Sequence, residues 1–102
     1  MSGRQQPEVP NQPATRQVTV THPHGICARG SLAIVNTVRR FRSQVQIRKG
    51  AQQAVASEVL PIMSLGVPQG AEVTLSAQGV DAEEVLDTLA RLFADNFGFF
   101  DV

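Results

Sequence analysis

The sequence predicts an α+β domain: a four-stranded antiparallel sheet with three helices on one face, in the order βαββαβα. Three observations predict this fold. Short segments with an apolar residue at every second position are typical of strands with one buried face. Segments with apolar residues three or four positions apart are typical of helices. The second and third strands are joined by the short turn at residues 49–51, whereas the other connections contain helices.

Residues 1–16 show neither pattern. They contain Pro7, Pro10 and Pro13 and no apolar periodicity, which is typical of a disordered tail. The folded domain is therefore predicted to span residues 17–102, a length that suits one domain.

The first elements follow directly after this tail. A strand is predicted over residues 17–21, where valine and threonine alternate. A turn follows at residues 22–25, since Pro23 and Gly25 interrupt the strand. The first helix is predicted over residues 31–41, which place apolar residues along one side.

The later elements show the same two periods. Strands are predicted over residues 44–48, 53–56 and 73–77, and a short helix over residues 57–65, with Ser57 as its cap.

The final helix is predicted to begin at Asp81. This residue is a good N-cap, and Glu84 follows at the spacing of a capping box. Beyond the helix, Phe99 and Phe100 are predicted to pack back onto the domain, as large apolar side chains usually do.

Composition narrows the classes of partner. Nine Lys and Arg balance nine Asp and Glu, which argues against nucleic acid or an anionic membrane, since both favour a basic surface. No apolar stretch reaches the roughly 20 residues of a membrane helix, and the N-terminus lacks signal-peptide features. A single cysteine cannot form an internal disulfide and agrees with a reducing compartment. We therefore expect a monomeric cytoplasmic protein without membrane insertion.

Residues 24–30 carry the clearest chemistry, because they lead from the first strand into the first helix. Gly25 allows a tight turn. The first N–H groups of a helix carry partial positive charge and lack internal acceptors, so this end of a helix binds anions. Arg29 adds a planar cation suited to phosphate oxygens, and Cys27 places a nucleophile beside it. The predicted anion-binding backbone consists of Ala28, Gly30 and Ser31.

Other interpretations of this turn are open. A lone cysteine is often a small buried hydrophobe rather than a nucleophile. His22, His24 and Cys27 are all metal-ligand types, but their spacing matches no compact zinc motif and a fourth ligand is not evident. We therefore predict neither metal nor cofactor. His24 is a candidate assisting base or alternative acceptor, because histidine exchanges protons readily near neutral pH.

The same turn resembles the active-site segment of a known family. The run Gly-Ile-Cys-Ala-Arg-Gly-Ser at residues 25–31 is similar to the segment Gly-Leu-His-x-Arg-Pro-Ala of HPr, the histidine phosphocarrier of the bacterial phosphotransferase system. Residues 41–43, 64–70 and 77–81 resemble the family's first-helix exit, its Leu-Gly loop before the last strand and its entry to the final helix. The resemblance covers residues 17–96. It implies an open-faced β-sandwich and a carrier rather than an enzyme, one that accepts a phosphoryl group from an upstream phosphotransferase enzyme and delivers it to transport or regulatory proteins.

Three positions depart from the family pattern. Cys27 stands where the family has its phospho-accepting histidine, so the resemblance implies a site of Cys27 and Arg29 with sulfur as the acceptor. Gly30 replaces a proline, which loosens the start of the helix and adds one N–H group. Glu58 stands where some members carry a serine phosphorylated by a regulatory kinase. It resembles a permanent imitation of that state, or an ordinary glutamate near a helix N-terminus.

Two functions from different classes follow. The first is a phosphocarrier that uses Cys27, with Arg29 and the helix N-terminus stabilising the phosphoryl oxygens. The second is a carrier-derived regulatory or docking domain that transfers no phosphoryl group. For partner proteins, Met63, Leu65 and Val67 are predicted to form an apolar docking patch. Redox sensing by the thiol is a third interpretation.

Overall fold

The computed structural model describes residues 13–98, and within them four antiparallel strands form one sheet with three helices on one face. The elements are β1 Ala14–Thr19, α1 Ala28–Val38, β2 Ser43–Lys49, β3 Gln52–Val55, α2 Val59–Ser64, β4 Glu72–Gly79, α3 Ala82–Ala94 and a C-terminal 3-10 turn Asn96–Gly98. The strand order is β1-β4-β2-β3, so β4 pairs with both β1 and β2. This architecture confirms the predicted open-faced α+β sandwich.

The hydrophobic core lies between the sheet and the helices. In β4 the side chains of Val73, Leu75 and Ala77 are buried, and Ile47 of β2 lies opposite Leu75. Each fully buried aliphatic side chain contributes about 1.5–3 kcal/mol relative to an exposed one. The helices close the core from above with Ile34, Val35, Val38, Ile62, Val85, Leu86, Leu89 and Phe93.

β1 begins at Ala14, three residues before the predicted start of the first strand. The reason is Arg16, which occupies a half-buried position of the strand where the alternating pattern would place an apolar residue. Its guanidinium reaches Asp87 on α3 at 2.5 Å. An arginine that extends along the covered face to an exposed carboxylate interrupts the apolar alternation without interrupting the strand.

Two predictions fall outside the described residues. They are the structure of the tail over residues 1–12 and the packing of Phe99 and Phe100.

The helix starts differ from the predicted ones by a few residues. α1 begins at Ala28, three residues earlier than predicted. α2 has Glu58, rather than Ser57, at its N-cap position. The predicted tight turn between β2 and β3 is confirmed, with Gly50 at a φ of 59°.

The prediction of a capping box at Asp81 and Glu84 is wrong. Asp81 occupies the N-cap position of α3, but its side chain makes no capping hydrogen bond. Its carboxylate instead accepts hydrogen bonds from the Ser43 hydroxyl at 2.5 Å and the Arg42 N–H at 2.8 Å. These bonds, the one from Ser43 most strongly, hold the pKa of Asp81 below its ordinary value of 3.8. Asp81 thereby ties the start of α3 to the start of β2.

Candidate functional site

The connection between β1 and α1 is held against the loop at residues 66–70. Gly25 has a φ of 66°, which favours glycine, and a Cβ there would lie 2.0 Å from the carbonyl oxygen of Val67. The N–H of Ile26 donates to that oxygen at 3.0 Å. Gly25 therefore lets the turn approach the loop closely enough to form this hydrogen bond.

Two further hydrogen bonds fasten the same loop to the two residues that follow β1. The N–H of Gly70 donates to the carbonyl of Val20 at 2.7 Å. The side-chain amide of Gln69 donates to the carbonyl of Thr21 at 3.1 Å. The end of β1, the turn and the loop are thus one hydrogen-bonded unit, and this unit determines where α1 begins.

Cys27 occupies the N-cap position of α1 and is half-buried. Its thiol makes no capping hydrogen bond, while its carbonyl accepts the N–H of Ser31 at 2.8 Å, the first bond of the helix. The N–H groups of Ala28 and Gly30 precede this bond and so have no acceptor inside the helix. The sulfur therefore belongs to the positively polarised end of an 11-residue helix.

Arg29 strengthens the positive character of this helix end. It is exposed, it follows Cys27 by two residues, and no acidic residue lies in the first turn of α1. A guanidinium and a helix N-terminus together favour a bound anion.

Ser31 does not belong to the anion-binding backbone, contrary to the prediction. Its N–H donates to the carbonyl of Cys27, and its side chain is fully buried. The reason is the earlier start of α1 at Ala28, which makes Ser31 the fourth residue of the helix rather than part of its open end.

His22 and His24 have different environments in the turn. His22 is fully buried, and its Nδ1 accepts the N–H of His24 at 3.1 Å, so it shapes the turn from inside. His24 is exposed three residues before Cys27, and its role as an assisting base stays a prediction. No group of three His, Cys, Asp or Glu side chains suited to a metal ion occurs within residues 13–98.

Glu58 lies at the surface at the N-cap position of α2, and its side chain makes no capping hydrogen bond. The residue before it is anchored, because Arg39 donates to the carbonyl of Ser57 at 3.1 Å. The carboxylate of Glu58 is therefore displayed at a helix N-terminus, where negative charge is favourable, next to a segment held by α1.

The predicted docking patch is wrong at two of its three residues. Leu65 and Val67 are buried in the core, because the loop after α2 turns inward to hold the β1–α1 connection. Met63 is 41% exposed, and two leucines are more exposed still, Leu32 of α1 at 51% and Leu60 of α2 at 75%. Since α1 and α2 pack together, we call Leu32, Leu60 and Met63 the α1–α2 apolar surface.

Within the candidate site His24 and Arg29 are exposed and Cys27 is half-buried. One shallow groove lies at the opposite end of α1 from Cys27, where Thr37 and Arg40 face Arg91 of α3. Among the described residues, no helix combines the length and apolar content that a membrane crossing requires.

Comparisons with known proteins agree with this geometry. The family model described as the PTS HPr component phosphorylation site matches residues 14–95. The phosphocarrier protein HPr of Cupriavidus necator is 32% identical over 83 residues, which cover 81% of this chain and 93% of that protein.

Two solved structures have the same fold. HPr of Thermoanaerobacter tengcongensis matches with a TM-score of 0.80 at 35% identity, over 84% of this chain and 97% of that one. The catabolite repression protein Crh of Bacillus subtilis matches with a TM-score of 0.67 at 36% identity, over 79% of this chain and 93% of that one. The chain belongs to the HPr family of phosphocarrier proteins.

Proposed function

We propose that this protein is a phosphocarrier that accepts a phosphoryl group on the sulfur of Cys27. The donor is a phosphorylated upstream enzyme of the phosphotransferase system, and the recipient is a transport or regulatory protein. The observation that supports this proposal most directly is the position of Cys27 at the N-cap of α1, with a thiol that makes no capping hydrogen bond. In this proposal the protein is a carrier rather than an enzyme, and it acts as a monomer in the cytoplasm.

The proposed transfer needs a deprotonated sulfur. The thiol proton of Cys27 leaves to His24 or to water, and the thiolate attacks the phosphorus atom of the donor. One S–P bond forms, and the bond from phosphorus to the donor atom breaks with its electron pair remaining on the donor. Arg29 and the N–H groups of Ala28 and Gly30 supply positive charge to the phosphoryl oxygens. Delivery to the recipient breaks the S–P bond and forms the new bond in the same way.

Transfer between proteins also requires a docking surface beside the acceptor. Leu32 lies one helical turn after Ala28, so both residues occupy the same side of α1. Leu60 and Met63 extend this exposed surface onto α2. We assign the α1–α2 apolar surface to the donor and recipient, and we assign Glu58 a regulatory role as a permanent negative charge at its edge.

Intact-protein mass spectrometry after incubation with phosphoenolpyruvate and the upstream enzyme tests the acceptor. Wild-type protein should gain the mass of one phosphoryl group, and Cys27→Ala should gain none. Cys27→His is the matched variant, because it keeps a nucleophile at the same position of the turn. Equal labelling of wild type and Cys27→Ala would refute the assignment. Labelling lost only when His24→Gln is added to Cys27→Ala would make His24 the acceptor.

A second candidate is a carrier-derived regulatory domain that binds partners without transferring a phosphoryl group. The exposed carboxylate of Glu58 at the N-cap of α2 favours it, as does the similarity to Crh, a protein named for catabolite repression. Wild-type protein that stays unlabelled while Cys27→His is labelled would support this candidate over the first.

A further inference from the structure

The chain returns to the start of α1 through its C-terminal 3-10 turn. Phe97 in this turn is buried, and its ring lies 5.0 Å from the ring of Phe93 and 6.1 Å from that of His22. The hydroxyl of Thr21 donates to the side-chain oxygen of Asn96 at 2.7 Å. The 3-10 turn therefore contacts the two residues that lead into the candidate site.

On the other side of the site, Phe97 packs against Gly30. A Cβ at Gly30 would lie 3.0 Å from one carbon of the Phe97 ring and 3.3 Å from two others. Gly30 has ordinary helical backbone within α1, so the requirement for glycine comes from space rather than from conformation. The ring fills the volume that a side chain at the third position of α1 would occupy.

The 3-10 turn has a backbone conformation that residues with side chains rarely adopt. Asn96 and Phe97 have φ values of 53° and 63°, in the left-handed region. Such residues persist where the surrounding contacts outweigh the conformational cost. The contacts that do so here include Thr21, His22 and Gly30, and all three flank the turn that holds Cys27.

His22, which contacts the ring of Phe97, is also hydrogen-bonded to the backbone of the turn. Its ring is fully buried, and its Nδ1 accepts the N–H of His24. Phe97 therefore contacts His22, which precedes Cys27 in the sequence, and Gly30, which follows it.

We propose that Phe97 is a positioning residue of the acceptor turn, because its ring fixes the first turn of α1 relative to Cys27. Gly30 is then the residue that Phe97 requires, which accounts for a glycine where the family resemblance leads one to expect proline. The importance of the contact for phosphoryl transfer rests on the proposed function, but the contact itself can be measured without any transfer.

A double-mutant cycle with Gly30→Ala and Phe97→Ala tests the contact in the full-length protein. The first measurement is hydrogen exchange of the Ser31 N–H, which closes the first turn of α1, relative to that of Leu75 in the central strand. Phe97→Ala should raise the ratio of the Ser31 rate to the Leu75 rate by about tenfold, a change typical of residues in direct contact. Gly30→Ala should also raise it, and the double variant should change it by less than the product of the two single effects.

Two further variants serve as controls. Phe97→Leu keeps an apolar side chain and should restore most of the wild-type exchange ratio, which also covers the case in which Phe97→Ala does not fold. Val80→Ala changes an exposed residue remote from the site and should leave the ratio unchanged. An equal rise at Ser31 and Leu75 in both Phe97 variants would overturn the proposal, since it would indicate general destabilisation. Independent effects in the cycle would also overturn it.

The second measurement is the rate of phosphoryl labelling. Phe97→Ala should lower kcat with little change in the KM for the donor enzyme, because the docking surface is intact, and Phe97→Leu should recover most of the wild-type kcat. A change in KM alone would contradict a positioning role. If no variant and no wild-type protein is labelled, the proposed function fails, and the exchange ratio still decides whether Phe97 positions the turn.

Discussion

At the scale of single residues, Gly25 shows how one position meets two separate requirements. Its φ of 66° disfavours any side chain, and a Cβ would also collide with the carbonyl oxygen of Val67 at 2.0 Å. Gly66, in the loop that receives the turn, has a similar φ of 61°, but a Cβ there would have no packing neighbour within 4 Å. Comparing substitutions at Gly25 and Gly66 therefore separates the cost of the left-handed backbone from the cost of the close contact with Val67.

We expect Gly25→Ala to destabilise the protein by about 2 kcal/mol more than Gly66→Ala. Left-handed backbone costs each alanine variant about 1–2 kcal/mol, whereas only the variant at Gly25 must also move Val67 and break the hydrogen bond from Ile26. Urea unfolding of the two variants and wild type measures the difference. Equal losses of unfolding free energy would show that the close contact with Val67 contributes nothing.

At the scale of elements, the start of α3 is held by a link to another element rather than by its own cap. The carboxylate of Asp81 accepts from Ser43 and Arg42 at the entrance to β2. Gly79 allows this approach, since a Cβ there would lie 2.6 Å from the Cα of Ser43. Helix α3 and strand β2 are thus joined through the carboxyl group of Asp81, which must be ionised to accept these hydrogen bonds at full strength.

We expect the Asp81→Asn variant to lose less stability than wild type as the pH falls into the acid range. The hydrogen bonds lower the pKa of Asp81 in the folded protein, so its contribution is present above the ordinary value of 3.8 and is lost as pH falls through the folded value. The difference in thermal midpoint between wild type and Asp81→Asn should therefore be constant near neutrality and shrink below pH 3.8. Glu83→Gln, in the first turn of the same helix, is the control. Parallel pH curves for wild type and Asp81→Asn would contradict the link.

At the scale of the whole molecule, the fold separates two faces with different chemistry. Most strand side chains on the open face of the sheet are polar, as Gln44 and Gln78 illustrate where they pair across β2 and β4, although Val55 of β3 is also exposed there. The helical side carries both Cys27 and the α1–α2 apolar surface. A half-buried thiol and an apolar surface on the same side of the molecule suit the proposed transfer between two proteins better than binding of a small molecule in a cavity.

We expect Leu60→Ser to weaken docking without weakening the fold. Leu60 is 75% exposed, so its replacement should change the free energy of unfolding by less than about 0.5 kcal/mol. The KM for the donor enzyme should rise about tenfold, as for a central contact residue of an interface, with kcat little changed. Val80→Ser is the matched control, because Val80 is also exposed but lies outside the α1–α2 apolar surface. Equal KM values for the two variants would remove Leu60 from the docking surface.

The sequence patterns predict all four strands and the three α-helices, but not the 3-10 turn Asn96–Gly98. The ends of the elements and several contacts depend on long-range packing. Arg16 breaks the apolar alternation in the first half of β1, so the pattern does not reveal where this strand begins. Its partner, Asp87, is 71 positions away, so no local signal marks the pairing. Leu65 and Val67 are buried although the sequence predicts a surface patch. The reason is that α2 ends at Ser64, before the predicted end at Leu65, and apolar residues beyond a helix have no period that reveals their direction. The pattern does not reveal Phe97 as part of the site, and the one local signal of it is the glycine at position 30.

For the acceptor turn, the sequence alone determined the order of strand, turn and helix, the glycine, cysteine and arginine within it, and their resemblance to a phosphocarrier. These features are local, since they follow from backbone preferences and from residue types at short spacing. The tertiary structure alone decided that Val67 holds the turn from one side and Phe97 fills the space at Gly30 from the other. Such contacts join segments distant along the chain, and their distances arise only when the sheet and helices pack together.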